Sequence, residues 1–153
     1  MRRKEKEIAE KKVLDEIIDE AMVCRLGLYD GTRPYIVPMS FGYREGNLYF
    51  HSAPEGRKID ILKKHPEVFF EIDIPGSTVE SVEACGWSMN YRSVMGEGTA
   101  EFMHTVSEQK EALNIIMEHY SGRKDWDFPE RMLEKTLVFT VKIETATAKK
   151  SGA

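Results

Sequence analysis

Residues 49–62 read Tyr-Phe-His-Ser-Ala-Pro-Glu-Gly-Arg-Lys-Ile-Asp-Ile-Leu, a stretch that begins as a strand, breaks at Pro54 and Gly56 and continues as an amphipathic helix. Arg57 and Lys58 fall in the first turn of that helix, where the helix dipole favours acidic residues over two adjacent cations. Free backbone N–H groups and both side chains can hold an anion there, which predicts a phosphate site at the helix start. Two solvated surface cations are the alternative interpretation.

The composition of the 153-residue chain predicts one domain with one hydrophobic core. Its net charge of −4 argues against broad binding to nucleic acid, and no apolar run approaches the ~20 residues that a membrane helix needs. The N-terminus is charged and lacks an apolar signal region. Cys24 and Cys85 show no spacing typical of a metal or redox site, so we expect a reduced, cytoplasmic setting and no metal.

The first part of the chain predicts one helix and two strands joined by a hairpin. Residues 3–20 carry apolar side chains near helical spacing and are interpreted as an amphipathic helix packed on the domain. Residues 22–29 form a predicted strand, and the turn signal Asp30-Gly31 returns the chain through a second strand at 34–43. Pro38 removes a ladder donor from that second strand, so we expect it at a sheet edge or a bulge.

The rest of the chain predicts four more strands and two more helices. Gly96 and Gly98 are expected to bend one long strand, as a barrel requires. Thr105 and Glu108 have the spacing of a capping box. The strands are expected at 47–52, 68–74, 89–103 and 137–147, the helices at 56–64 and behind Thr105, a short helical piece after Pro129, and a frayed tail at 149–153. Six short strands broken by turns favour a small α+β antiparallel barrel over a doubly wound sheet.

Residues 34–43, 49–62 and 91–98 resemble the flavin-binding split-barrel superfamily of pyridoxamine 5′-phosphate oxidase, and within it the Nim-type, nitroimidazole-resistance-like branch. The pattern Phe-His-Ser-Ala-x-x-Gly-x-Lys, behind Val-Pro-Met-Ser-Phe-Gly-Tyr, carries most of the likeness. The resemblance implies a six-stranded antiparallel split β-barrel with flanking helices, as a single domain over residues 1–153 with its N-terminal helix at about 3–20 and its barrel at about 22–147. It also implies a homodimer with two FMN molecules at the subunit interface.

The resemblance implies a role for each matching residue. Arg57 and Lys58 match the phosphate-binding cations of the family, and Ser52 and Gly56 match its phosphate-loop positions. The other implied contacts are Val37, Pro38, Met39, Ser40 and Phe41 along the isoalloxazine ring, and Tyr91, Ser93 and, as a looser match, Trp87 from the partner subunit.

His51 is the candidate catalytic residue, with two roles open. It shares a strand face with Tyr49, and in the Nim-like branch a histidine at this place lies close to the flavin. It can donate a proton to a reduced substrate, or it can be a hydrogen-bonded histidine of the wall, the role we favour because flavins often take protons from water. His65 is expected at a helix end, and His104 and His119 are expected at the surface.

The implied function is an FMN-dependent oxidoreductase that reduces small electrophilic organics, such as nitroaromatics or quinones, with a small-molecule electron donor. A flavin carrier or sensor without turnover and a haem-handling split barrel stay open as alternatives. The end of the chain at 144–150 lacks the Arg-rich segment of pyridoxamine phosphate oxidases, which argues against the vitamin-forming oxidation. No Rossmann pattern is visible, so we expect any nicotinamide donor to dock transiently.

Overall fold

The computed structural model describes residues 10–152, together with the backbone of a two-residue strand at Glu7–Ile8. This part of the chain contains eight strands and four α-helices. In chain order they are β1 (Glu7–Ile8), α1 (Lys11–Glu20), β2 (Cys24–Tyr29), β3 (Pro34–Met39), β4 (Gly42–Arg44), β5 (Asn47–Ser52), α2 (Arg57–Lys64), β6 (Glu67–Val79), β7 (Ser88–Phe102), α3 (Val106–Ser121), α4 (Glu130–Leu133) and β8 (Leu137–Ser151). No helix in these residues is long and apolar enough to cross a bilayer.

The strands form one antiparallel sheet whose two edges are brought together by the chain itself. The main path of the sheet runs β3-β2-β6-β7-β8-β5-β4, and β1 pairs with β8 beside it. β3 and β4 therefore lie at opposite ends of the path, although only residues 40 and 41 separate them in sequence. So short a connection spans about 11 Å at most, and the sheet must curl until its edges approach. No ladder joins β3 to β4 in the described residues, so the barrel is open along this seam, as in a split barrel.

Seven strands follow the main path, so the predicted count of six is wrong. The predicted strand at 34–43 is divided into β3 and β4 because Phe41 leaves the ladders. Its side chain is completely buried, and its backbone N–H donates at 2.9 Å to the hydroxyl of Tyr120, 79 positions later in the chain. The antiparallel α+β architecture with flanking helices is confirmed. Pro38 lies on the edge strand β3, as expected from its missing N–H.

The two ends of the chain differ from the sequence predictions. β8 continues to Ser151, so the predicted frayed tail is wrong for residues 149–151, which pair with residues 91–93 of β7. Residues 149–151 are held in the sheet by backbone hydrogen bonds to β7. Their polar side chains alone do not indicate a strand. The predicted helix at 3–20 is confirmed for 11–20, whereas 7–8 are a strand and 3–6 and 9 lie outside the described residues.

The main core fills the barrel, and buried side chains of α1 and α2 pack against it. Each buried aliphatic or aromatic side chain stabilises the fold by roughly 1.5–3 kcal/mol, so this core holds the strand ends and α2 in fixed positions. Its completely buried members include Phe41, Phe50, Phe70 and Phe139 from the barrel, Ile17 and Ile18 from α1, and Ile59 and Leu62 from α2.

The third helix packs against the seam of the barrel. The predicted capping box is confirmed, since Thr105 and Glu108 exchange hydrogen bonds at the start of α3. A Cβ at Gly42, the first residue of β4, would lie 2.7 Å from the backbone nitrogen of Ile116 and 2.8 Å from the carbonyl carbon of Ile115. Only glycine leaves room for this approach, which presses α3 directly onto the seam.

Candidate functional site

The connection from β5 to α2 forms an open turn with free backbone donors. Gly56 precedes α2 with a φ of 130°, and apart from its two chain neighbours no described residue has an atom within 4 Å of the place that its Cβ would occupy. The carbonyl of Gly56 accepts from the N–H groups of Ile59 and Asp60. No side chain caps α2, and the N–H groups of Arg57 and Lys58 have no partner in the described residues. Helix N-termini with such free donors attract anions.

Ser52, at the end of β5, carries an unpaired hydroxyl. The residue is 8% exposed, and its Oγ is the one buried side-chain polar atom without a hydrogen-bond partner in the described part of the chain. A buried hydroxyl left unpaired costs about 1–3 kcal/mol. Ser52 and the free N–H groups of Arg57 and Lys58 lie within seven consecutive residues, 52–58. We call residues 52–58 the anion cradle.

Arg57 is oriented by the hairpin between β2 and β3, a contact that the sequence did not predict. Its guanidinium donates to the carboxylate of Asp30 at 3.2 Å and lies over the ring of Tyr35, 4.5 Å from the centroid. Asp30 also accepts from the backbone N–H groups of Arg33 and Thr32, and these bonds, followed by Arg57, lower the pKa of its carboxyl group. Asp30 therefore has a second role beyond the predicted turn, which is confirmed.

Lys58 adds a positive charge to the anion cradle, whereas the neighbouring His51 adds none at neutral pH. Lys58 is half-buried and has no carboxylate within 4 Å in the described residues. His51 is exposed in surface area, yet nearby protein atoms desolvate its ring enough to lower its pKa, and the charge of Lys58 lowers it further. His51 therefore carries a neutral imidazole at neutral pH.

The predicted ring-binding segment is contiguous with the anion cradle. Tyr35, which contacts Arg57, and Val37 are alternate residues of β3, and both pack against the main core. β3 pairs only with β2 in the described residues, so its other edge is free for a ligand. Pro38 is exposed on this strand, Met39 is buried at its end, and Ser40 lies outside both neighbouring ladders.

The residues predicted to come from a partner pair with the end of β8 opposite to the end that pairs beside the anion cradle. In β8, Leu137 pairs with Ser52, whereas Ser151 pairs with Tyr91. These two positions of β8 are 14 residues apart, about 45 Å along an extended strand. Ser93 is two residues from Tyr91 along β7, and the exposed Trp87 lies before the start of that strand. The strand ladders therefore place the two halves of the predicted site at opposite ends of β8.

The last turn of α3 contains two further residues that sequence reasoning missed. Tyr120 accepts from the N–H of Phe41 and donates to the carbonyl of Met22, each at 2.9 Å. His119, which was expected at the surface, is half-buried, and its Nε2 atom lies 2.7 Å from the carbonyl oxygen of Ala21. Neither role has a local sequence signal, because all the partners are distant in the chain.

Comparisons with known proteins agree with the split-barrel fold. The model of the pyridoxamine 5′-phosphate oxidase family matches residues 10–150. A candidate 5-nitroimidazole antibiotic resistance protein from Bacteroides thetaiotaomicron is 33% identical, with a TM-score of 0.85 over 94% of this chain and 86% of that one. A search of curated proteins found no match.

Two more distant structures share the fold. The flavocytochrome Anf3 from Azotobacter vinelandii is 19% identical, with a TM-score of 0.87 over 100% of this chain and 72% of that one. The FAD and haem binding protein from Mycobacterium smegmatis is 18% identical, with a TM-score of 0.86 over 97% of this chain and 74% of that one. At this identity the similarity shows the split-barrel fold alone.

Proposed function

Since the chain belongs to the pyridoxamine 5′-phosphate oxidase family, we propose that it is an FMN-binding oxidoreductase that reduces small electrophilic organic molecules, such as nitroaromatics or quinones. The observation that carries the proposal is the anion cradle, where an unpaired buried hydroxyl, free helix N–H groups and two cations lie within seven residues. The similarity to the candidate 5-nitroimidazole resistance protein supports the choice of acceptor.

The cradle fits the phosphate of FMN in charge and in donors. A phosphate monoester carries about −1.5 to −2 charges at pH 7 and offers three strong acceptor oxygens. Arg57 and Lys58 provide opposite charge, the hydroxyl of Ser52 and the N–H groups of Arg57 and Lys58 provide hydrogen bonds, and Asp30 with Tyr35 holds the guanidinium in place. We assign Gly56 the role of leaving the approach to the cradle open.

The free edge of β3 supports binding of the isoalloxazine ring. Backbone N–H and C=O groups that are not used in a ladder can bond to the polar edge of the ring, and Ser40 lies outside both ladders. When bound, FMN supplies the redox chemistry, and the protein supplies binding, orientation and electrostatics. The position of the ring relative to the barrel seam would be set by the other residues of this segment, Val37, Pro38, Met39 and Phe41.

A second copy of the chain completes this site in our proposal. Tyr91 and Ser93 pair at the opposite end of β8 from the cradle, and we assign them, together with Trp87, to the site of a two-fold partner. The large exposed apolar side chains Ile36 on β3 and Phe69 on β6 lie on a sheet surface that a partner copy can cover.

The absorption spectrum of the purified protein tests the proposed function. We expect flavin absorbance, or its appearance after FMN is added, and oxidation of NADH or NADPH in the presence of a nitroaromatic or quinone acceptor. A colourless protein that takes up no added FMN would refute the proposal, and so would a haem spectrum. Bound FMN without any turnover would favour the carrier or sensor alternative.

Ser52→Ala is expected to affect stability and binding in opposite directions. An unpaired hydroxyl costs free energy when folding buries it, and alanine removes this cost. The free energy of unfolding of the flavin-free protein should therefore rise by about 1 kcal/mol. The same change should weaken FMN binding about tenfold, since one donor to the phosphate is lost. Urea unfolding without ligand and FMN titration measure the two effects.

Thr140→Val is the matched control for Ser52→Ala. Thr140 is also 8% exposed, but its hydroxyl donates to the carbonyl of Leu48 at 2.9 Å. Its loss should therefore lower the free energy of unfolding by about 1 kcal/mol and leave FMN affinity unchanged. If neither variant were more stable than the parent and both bound FMN equally well, Ser52 would not be a ligand of the phosphate.

His51→Phe is expected to leave acceptor turnover within about twofold of the parent rate at pH 7.5, because a histidine with a lowered pKa holds little proton there. An essential general acid would instead cost ~10²–10⁴-fold. Steady-state rates with a nitroaromatic acceptor between pH 5.5 and 8.5 measure the effect, with His51→Asn as a polar variant that cannot titrate. A loss of that size in both variants at pH 7.5 would establish the acid role.

The same pKa shift predicts a pH dependence of stability that needs no flavin. The folded chain binds the His51 proton less tightly than the unfolded chain, whose histidine pKa is about 6.5. Stability is therefore lost as the pH falls below about 6.5, and His51→Asn should reduce that loss. Thermal unfolding of the flavin-free variants at pH 5.5 and pH 8 measures it.

A further inference from the structure

The seam between β3 and β4 is held by two consecutive residues of α3. Tyr120 and His119, in the last turn of that helix, contact Phe41 from two directions. The hydroxyl of Tyr120 accepts a hydrogen bond from the backbone N–H of Phe41 at 2.9 Å. The ring centroids of His119 and Phe41 are 4.5 Å apart. We call Tyr120 and His119 the seam clamp.

The hydrogen-bond roles in the seam clamp are determined by its partners. A carbonyl oxygen can only accept, so the hydroxyl proton of Tyr120 goes to Met22, and a lone pair remains for the N–H of Phe41. By the same argument, Nε2 of His119 is protonated and donates to the carbonyl of Ala21. The clamp therefore ties the seam to the connection between α1 and β2.

Among the described residues, the buried N–H of Phe41 has the Tyr120 hydroxyl as its one hydrogen-bond partner. Met39 pairs with Cys24 and Gly42 pairs with Tyr49, whereas residues 40 and 41 belong to neither ladder. A buried backbone N–H needs a partner, and without the Tyr120 hydroxyl the seam would have to move to find one. The close approach of the α3 backbone to Gly42 prevents the seam from shifting towards the helix.

We propose that Tyr120 and His119 are positioning residues for the flavin ring, acting through Phe41 on the segment 37–41. This inference rests on the proposed function, because the ring is assigned to that segment there. The seam clamp holds the C-terminal end of the segment 37–41, where Ser40 lies outside the ladders. It therefore determines the direction of the backbone groups there that are not used in a ladder. In the described part of the chain no hydrogen bond or ring contact joins the seam clamp to the anion cradle, so we assign its effect to the ring and not to the phosphate.

Tyr120→Phe is the direct test, because it removes one oxygen and keeps the aromatic ring. In the flavin-free protein, hydrogen exchange of the Phe41 amide should become about tenfold faster, since it loses its acceptor. The affinities for FMN and for riboflavin should fall by the same factor, about tenfold, because both ligands share the ring. Exchange is measured by NMR with ¹⁵N-phenylalanine labelling, and affinity by flavin fluorescence titration.

Tyr43→Phe is the matched control for the seam clamp. The hydroxyl of Tyr43 donates to Asp15 at 2.5 Å, so it also ties the seam side of the barrel to α1, but among the described residues the N–H of Phe41 bonds to Tyr120 and not to Tyr43. We expect Phe41 exchange and both flavin affinities to stay within about twofold of the parent values. His119→Gln, which keeps an N–H donor for Ala21 and removes the ring contact, should change the flavin affinities in the same direction as Tyr120→Phe.

Three outcomes would overturn the inference. Faster Phe41 exchange with both flavin affinities within twofold of the parent would show that the clamp does not position the ring. Equal effects of Tyr43→Phe and Tyr120→Phe would show a general loss of stability. A parent protein that binds neither flavin would refute the proposed function and ring positioning with it, while Phe41 exchange in Tyr120→Phe would still report whether the clamp hydrogen bond exists.

Discussion

Replacing both Arg57 and Lys58 by Ala is expected to weaken FMN binding by two to four orders of magnitude and riboflavin binding far less. Each charge-assisted contact to a phosphate contributes roughly 1.5–3 kcal/mol, and the two together account for this range. Riboflavin has the same ring and no phosphate, so its affinity reports the ring contacts alone. Flavin fluorescence titrations with both ligands, at two salt concentrations, measure the difference and its screening.

Lys63→Ala combined with Lys64→Ala is the matched control for the cradle. These two exposed cations lie in the last turn of the same helix, so the variant loses the same charge from α2 at the opposite end. We expect its FMN affinity to stay close to that of the parent. If the cradle variant lost affinity for FMN and riboflavin equally, Arg57 and Lys58 would act on folding or on the ring rather than on the phosphate.

The anion cradle was predictable from sequence because its parts are close together in the chain. The strand end, the break at Pro54 and Gly56 and the two cations of α2 lie within one short segment, and helix-start chemistry is local. The orientation of Arg57 was not predictable in this way. Asp30 and Tyr35 lie more than 20 positions upstream of it, and only the curvature of the barrel brings them into contact.

The break between β3 and β4 at the seam also could not be predicted from local sequence. Residues 34–43 have a strand composition throughout, so sequence patterning predicts one strand where the structure has two. The break depends on a hydroxyl from α3 and on the fit of that helix against Gly42. At the end of β8, the polar sequence of residues 149–151 predicts a tail, because their pairing with β7 is a property of the partner strand. Tertiary contacts override local preference in both places.

A heterodimer of two damaged chains is expected to regain one FMN site. One chain carries Arg57→Ala with Lys58→Ala and has no cradle, and the other carries Tyr91→Ala with Ser93→Ala and has no partner half. In a two-fold dimer each site takes one half from each chain, so one site receives both defects and the other receives none. Two different affinity tags, used in sequence after co-expression, isolate the mixed dimer.

The stoichiometry of the purified heterodimer decides whether the site is shared between copies. We expect about one tightly bound FMN per heterodimer, about two per parent dimer, and almost none in either variant alone. A site built within one chain gives a different result, because each chain then carries its own defect and mixing restores nothing. The separation of about 45 Å along β8 between the positions paired with Ser52 and with Tyr91 is the reason to expect restoration. Failure of the two tagged chains to co-purify would contradict the dimer itself, whereas co-purification without FMN would contradict the placement of Tyr91 and Ser93 at the partner's flavin.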